Sequence, residues 1–365
     1  MNKKLILYLV ILLATLQVYA QQPKYVFLFI GDGMGLTQVS AAEAFLSDRD
    51  NIIGNKYLSF SYFPVIGLCT TFSADAYVTC SSAAATALAS GFKINNGMVN
   101  ISPSGDTLRP ITYKLRDAGY KIGVATTVGI NHATPAGFYA ASGKRSDYYS
   151  IAEQLPHSGF NFFAGGGFIS PKGKKEDRAD IHEYITNAGY TIVRNWQDAT
   201  VGKDKIILFQ AEDKGDALPT AIQRKPDDLT LPQITEAAIR VLENEQGFFV
   251  MLEGGQIDWT CHSNEGVTAV HETIDFAAAV QVAVEFYKKY PKETLIIVTA
   301  DHETGGMSIN DEDDDLPFDF GWTTKGHTGV AVPIYAIGVR SELFGGKMDN
   351  TDIPKRICKA MGIND

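Results

Sequence analysis

Asp258-Trp259-Thr260-Cys261-His262 places a carboxylate and an imidazole one helical turn apart, five residues beyond Glu253. Side chains at i and i+4 share a helix face, so Asp258 and His262 can point at one ion. The same spacing also occurs on ordinary solvated helices. Glu253 ends the apolar run Phe248-Phe-Val-Met-Leu252, at the mouth of a buried strand. Three further segments join an apolar strand to a polar cluster. Tyr25-Val-Phe-Leu-Phe-Ile30 runs into Gly31-Asp32-Gly33-Met34-Gly35, and residues 295–299 lead through Ala300 into Asp301-His302-Glu303-Thr304. Gly326-His327-Thr328-Gly329 precedes an apolar strand at 331–337. Open α/β sheets gather ligands and catalytic groups at the carboxyl ends of their strands. Carboxylates with imidazoles suit zinc, and a set poor in cysteine favours a catalytic over a structural multi-metal centre.

Val78-Thr-Cys-Ser-Ser-Ala-Ala-Ala-Thr-Ala87 sets Ser81 and Ser82 at the head of an alanine-rich helix. One reading makes the serine a helix N-cap, a common role for that residue. The other uses the same geometry for chemistry. Free backbone N–H groups and the positive dipole end suit an incoming phosphate, and a serine beside a divalent cation can lose its proton and attack phosphorus.

The elements that must position these groups alternate along the chain. Helical periodicity marks 37–45, 82–90, 111–118, 149–155, 180–188, 231–245 and 267–289, with strands at 65–71, 121–126 and 160–163. This alternation implies an α/β fold, a three-layer α/β/α sandwich around a largely parallel sheet. Residues 21–365 read as one catalytic domain, and the charged, irregular stretch around 168–230 as peripheral elaboration. Asp311-Glu-Asp-Asp-Asp315 reads as a solvated loop, with calcium binding or substrate gating as the alternative.

Residues 1–20 read as a signal peptide: Asn2-Lys3-Lys4, an apolar core from 5 to 18, then Val18-Tyr19-Ala20 with cleavage after Ala20. That core is short for a membrane span, so no span is expected after cleavage, and the protein is expected in the periplasm or secreted. Without Lys3 and Lys4 the net charge moves from −10 to −12, 30 basic against 42 acidic residues. That balance argues against non-specific nucleic-acid binding. Cys69, Cys80, Cys261 and Cys358 fit no disulfide framework and read as single thiols. His157, His182 and His271 lie in helical or loop contexts and read as structural, and Lys93 as a helix-end residue.

Taken together, these motifs resemble the alkaline phosphatase family, in the family's order and from the strand before Asp32 to His327. The family's nucleophile segment, Val-Thr-Asp-Ser-Ala-Ala with a later Thr-Gly-x-Lys, aligns without a gap to Val78-Thr79-Cys80-Ser81 and Ser90-Gly91-Phe92-Lys93. Asn131-His-Ala-Thr-Pro-Ala-Gly137 resembles the segment whose threonine binds magnesium, with Arg145 eleven residues after Thr134. The resemblance implies an alkaline phosphatase-like fold and a phosphomonoesterase with Ser81 as nucleophile and Arg145 clamping the phosphate. It implies one zinc on Asp258, His262 and His327, a second on Asp32, Asp301 and His302, and a third ion, magnesium in many members, on Asp32, Thr134 and Glu253. Small phosphomonoesters are then the substrates, and a homodimer is left open.

Three positions depart from the pattern. His132 and Trp259 stand near the third site where some relatives carry charged residues, so zinc or cobalt competes with magnesium there. Cys80 replaces the aspartate that often steadies the arginine, leaving Arg145 looser or held by another acid such as Asp147. Alternatives are a phosphodiesterase or other ester hydrolase of the superfamily, and a non-catalytic phosphate- or metal-binding protein. A sulfatase needs a Cys/Ser-x-Pro-x-Arg context, which Cys80-Ser-Ser-Ala-Ala lacks. A binding protein would be expected to have lost Ser81 or a ligand.

Overall fold

Long apolar runs such as Tyr25-Val-Phe-Leu-Phe-Ile30 can be buried on both faces only inside a sheet covered by helices. The computed structural model, which describes residues 21–54, 56–200, 204–210, 215–310 and 319–363, has that arrangement. The leader at 1–20 and the acidic run at 311–315 lie outside the described residues. The first half contains β1 (Tyr25–Gly31), α1 (Leu36–Arg49), β2 (Val65–Thr70), α2 (Ser81–Ser90), α3 (Ile111–Asp117), β3 (Lys121–Thr126), α4 (Ala133–Ala136) and α5 (Tyr148–Ser158). Next come β4 (Phe162–Gly165), α6 (Ile181–Asn187), β5 (Thr191–Val193), β6 (Ile206–Phe209), α7 (Leu231–Leu242), β7 (Phe248–Gly254), α8 (Gln256–Ser263) and α9 (Gly266–Lys289). The chain continues through β8 (Thr294–Thr299), β9 (Glu303–Thr304), β10 (Met307–Asn310), β11 (Asp319–Trp322), β12 (His327–Thr328), β13 (Val332–Gly338), β14 (Gly346–Asp349) and α10 (Asp352–Met361).

Ten strands form one sheet in the order β14-β2-β13-β8-β1-β7-β3-β4-β6-β5. Among the described residues of this sheet, β13 alone runs against its neighbours, β2 and β8, and the sheet's other pairings are parallel. The central strands β1, β7 and β8 are buried along their whole length. Burying each of Phe27, Phe29, Phe248 and Phe249 stabilises by roughly 2 kcal/mol. β2 was expected as a buried strand, but its burial alternates, with Ile66 and Leu68 exposed, because only one face is covered there. The stretch 168–230 supplies β5 and β6, the last two strands of the sheet. α9 is long and apolar enough to cross a membrane by length and composition, which the sequence reading passed over. Its contacts with β1, β7, β8 and α7 make it a core helix of this fold.

Arg224 ties the 168–230 region to α9 through a two-pronged ion pair with Asp275, Nη1–Oδ1 2.5 Å and Nη2–Oδ2 2.8 Å. Beside it, buried Glu272 accepts a hydrogen bond from the Ala221 N–H. Burial pushes Glu272 up to about 7, outweighing that bond and the Arg224 charge. A raised carboxyl contributes stability that is complete below its unfolded value near 4.5 and is lost as pH rises through about 7. Glu272→Gln keeps the acceptor without the titration. Thermal unfolding should therefore find the two proteins alike at pH 4 and the variant more stable at pH 8, by on the order of 2 kcal/mol. A pH-independent difference between them would refute this reading of Glu272.

Candidate active site

The carboxyl ends of β8, β1, β7 and β3 lie side by side, so residues leaving those strands meet. Ile30 is level with Glu253 on β7 and with Thr299 on β8, while Thr126 of β3 is level with Glu253 from the other side. Asp32, Glu253 and Asp301 are thereby brought to one place, all buried. Gly33 turns the chain at φ +75°, where a Cβ would stand 2.8 Å from Thr304 Oγ1 and 2.9 Å from Asp258 Cα. Only glycine fits that left-handed turn and close approach. α8 then presents Asp258, and the small β9–β12 pairing sets His327 opposite Thr304.

Two groups of side chains close around shared points. Asp258, His302 and His327 form one, and Asp32, Asp301 and His302 form the other, so His302 stands between them. His302 Nε2 lies 3.4 Å from Asp32 Oδ1 and 3.2 Å from Asp301 Oδ2. His262, expected beside Asp258, has its Nε2 3.3 Å from Asp258 Oδ2 and 3.2 Å from His327 Nε2. The Nδ1 atoms of His262 and His327 face the carbonyls of Lys325 (2.5 Å) and Thr79 (2.8 Å). A carbonyl only accepts, so Nδ1 carries the proton and Nε2 faces the cluster, the orientation that holds a metal-ligating histidine. Thr304 Oγ1 donates to Asp258 Oδ1 and lies 3.3 Å from His302 Nδ1. Thr134 Oγ1 is 3.5 Å from Asp32 Oδ2, and Thr126 Oγ1 donates to Glu253 Oε2.

The electrostatics fit a divalent cation. Asp32 Oδ1, Asp301 Oδ2 and Glu253 Oε1 are buried without a hydrogen-bond partner, which is costly for a carboxylate unless an ion completes it. Burial first, then their neighbours' negative charges, push Asp32 and Asp301 far above the usual carboxylate range. Burial raises Glu253 as well. Burial lowers His302 and His327, leaving neutral imidazoles with a lone pair to give. Asp258 goes the other way: burial raises it, but the His262 hydrogen bond and the surrounding histidines outweigh that. The same hydrogen bond pushes His262 up to about 9. Such a set holds protons when empty and surrenders them to a metal.

Ser81 is the first residue of α2 and is 2% exposed; the N-cap is Cys80, so neither serine caps the helix. Ser81 Oγ lies 3.3 Å from His302 Nε2, at the second group. Arg145 is half-buried on the turn before α5, and its charge is felt at Cys80, His132, Glu253, His262, His302 and His327. It makes no ion pair among the described residues, with Asp147 or any other acid. His132 is 8% exposed; burial pushes it down to about 3, and its Nδ1 has no partner. Its ring stands edge-on to Trp259 at 5.7 Å. Cys69, Cys80 and Cys261 carry free thiols. Sequence reasoning passed over Thr126 and the loop Asn95-Asn96-Gly97, whose Asn-Gly turn signal was the available clue.

The sequence profile described as "Alkaline phosphatase" matches residues 23–318 and 314–363 of the chain. Alkaline phosphatase 3 of Bacillus subtilis is 32% identical, over 93% of this chain and 89% of that protein. The solved alkaline phosphatase from the Antarctic bacterium TAB5 superposes with a TM-score of 0.85 at 31% identity, covering 94% of this chain and all of that one. A histidine-to-aspartate variant of that enzyme, with magnesium bound in its M3 site, superposes at 0.84 with 31% identity, over 95% of this chain and all of that one. With this fold and this cluster at its strand ends, the chain belongs to the alkaline phosphatase family.

Proposed function

We propose that this chain is an exported, metal-dependent phosphomonoesterase working through a phosphoserine at Ser81. The observation that carries it is the meeting of three features at one point. The partnerless oxygens of Asp32 and Asp301 lie 3.4 and 3.2 Å from His302 Nε2, Ser81 Oγ at the head of α2 lies 3.3 Å from it, and His327, held by Nδ1, joins His302 and Asp258 in the neighbouring group. Asp258, His262 and His327 would hold one zinc, and Asp32, Asp301 and His302 a second. Asp32, Thr134 and Glu253 would hold a third ion, for which the magnesium in the M3 site of the TAB5 variant supports magnesium. Bound cations supply Lewis acidity, easing loss of the serine proton and offsetting the charge on the departing alcohol.

Ser81 Oγ, its proton lost to solvent, bonds to phosphorus as the bond to the alcohol opposite breaks and that alcohol takes up a proton; water then attacks the phosphoserine, the Ser81 O–P bond breaks, and inorganic phosphate and the serine hydroxyl are released. The N–H groups at the head of α2 face the phosphate oxygens, and the Arg145 fork grips two of them. Ser81 Oγ lies 3.3 Å from His302 Nε2, so a cation held by that nitrogen would lie beside the serine oxygen. Export rests on the charged start and apolar core of residues 1–20, and placement in the periplasm or medium follows from it.

Ser81→Ala should fold, keep its metals and lose phosphomonoester turnover on the order of a thousandfold. Phosphate trapped on the wild type at low pH should map by peptide mass spectrometry to Ser81. Label on Ser82, or a fully active alanine variant, would sink the assignment.

Asp258→Ala should weaken zinc binding by more than about a hundredfold, since partners one shell further out already cost ten- to a hundredfold. Metal analysis after dialysis should find less zinc per chain than in the wild type. An unchanged metal content contradicts the ligand assignment.

The nitrogen of His132 beside the third site favours zinc or cobalt over magnesium relative to an oxygen donor. His132→Asp should therefore raise the dependence of activity on added magnesium, several-fold, with the other two sites saturated. Identical metal profiles for the two proteins would make His132 a structural neighbour only.

A further inference from the structure

Cys80, and not an acid, precedes Ser81, and the Arg145 guanidinium has no ion pair among the described residues. The backbone around it is nevertheless tied to the nucleophile. The Gly97 N–H donates to Cys80 Sγ at 3.1 Å, and the Gly97 carbonyl accepts from the Arg145 N–H at 2.7 Å. One residue thus joins the position before Ser81 to the phosphate clamp. Gly97 does this at φ +81°, a left-handed backbone that favours glycine.

The loop that carries Gly97 is clasped on both sides. Asn96 Oδ1 accepts from the Cys80 N–H at 2.9 Å, and Asn96 Nδ2 donates to the Val78 carbonyl at 3.0 Å. The Asn96 N–H in turn donates to Asp75 Oδ1 at 2.9 Å. On the far side, Val99 and Ser142 exchange two backbone hydrogen bonds of 2.9 and 2.8 Å, three residues before Arg145. The segment 95–99 is therefore a strap between residues 78–80 and residues 142–145. The Cys80 sulfur, next in sequence to Ser81, accepts from the Gly97 N–H of that strap and also lies 3.2 Å from Ser82 Oγ.

We infer that Cys80 is a positioning residue for Arg145, acting through the Gly97 peptide to hold the phosphate clamp in register with Ser81. This rests on the reading of Ser81 and Arg145 as the groups that handle phosphate. A carboxylate at position 80 would fasten the guanidinium end of the arginine. The strap fastens its backbone end and leaves the guanidinium donors for the substrate. Removing the sulfur leaves the Gly97 N–H without its acceptor and frees the clamp to drift.

The test is a double-mutant cycle on the metal-loaded protein, with inorganic phosphate binding followed by calorimetry and hydrolysis of an aryl phosphate followed in parallel. Cys80→Ala should raise the phosphate Kd and the KM together, about five- to tenfold, with kcat within about twofold. Cys80→Ser, which keeps an acceptor, should recover most of the loss. In an Arg145→Ala background, Cys80→Ala should add nothing to the phosphate Kd. Should the alanine variant fold poorly, Cys80→Val removes the acceptor while keeping the volume and gives the same reading. An undiminished effect in the Arg145→Ala background overturns the inference, as does a fall in kcat with unchanged phosphate Kd, or no effect at all. A wild type that binds phosphate without hydrolysing the ester would count against the proposed function alone, because the binding cycle still reads the coupling of Cys80 to Arg145.

Discussion

Three buried carboxylates, Asp32, Glu253 and Asp301, share the carboxyl edge of four adjacent strands. Taking an ionised carboxylate out of water costs several kcal/mol even after relaxation, and neighbours of like sign add to it. Raised carboxyl groups and oxygens without partners are the two faces of that cost. The cluster can be relieved by protons or by divalent cations, and cations relieve it without removing the negative charge that holds them. The rest of the architecture serves this constraint. Rigid apolar strands fix where the carboxylates meet, and the imidazoles of His302 and His327 stand close by with their rings stacked at 3.6 Å.

The supporting contacts show a division of labour. Sheet residues set positions through backbone register, as when Ile30 lies level with Glu253. Loops and short elements then orient side chains. The Lys325 and Thr79 carbonyls turn His262 and His327, and Thr304 bridges Asp258 and His302. Glu303 in turn fixes this hairpin, taking hydrogen bonds from Gln38 and Thr328. The charged cluster is thus oriented by a surrounding layer of hydrogen-bond donors and acceptors. The Asn96–Gly97 strap extends the same idea to the phosphate clamp.

Much of this was legible because long apolar runs end in chemically distinctive residues. Asp32, Glu253 and Asp301 could be placed together because parallel strands deliver their carboxyl ends to one edge. Asp258 and His262 could be paired because four residues make a turn. Short elements were harder to read. Thr191–Val193 and Ile206–Phe209 are three- and four-residue strands whose pairing is decided by β4 and by each other, not by local pattern. β2 misled for a related reason: its composition is that of a buried strand, but the sheet covers only one of its faces. What holds Arg145 lay in backbone contacts of Gly97, and a glycine's N–H and carbonyl leave no trace in residue type beyond the turn they make. The Asp147 alternative failed because sequence proximity says nothing about where a guanidinium finds its partner.

We propose divalent cations, and not protons, as the natural counter-charge of this cluster. This is tested most directly by titrating zinc into the metal-free protein calorimetrically, in two buffers of different ionisation enthalpy at each of several pH values. Binding should release protons at neutral pH, drawn from the raised carboxyl groups and from His262, in a number that shrinks as pH rises. Tight zinc binding with no proton release at any pH, or no zinc binding at all, would contradict it.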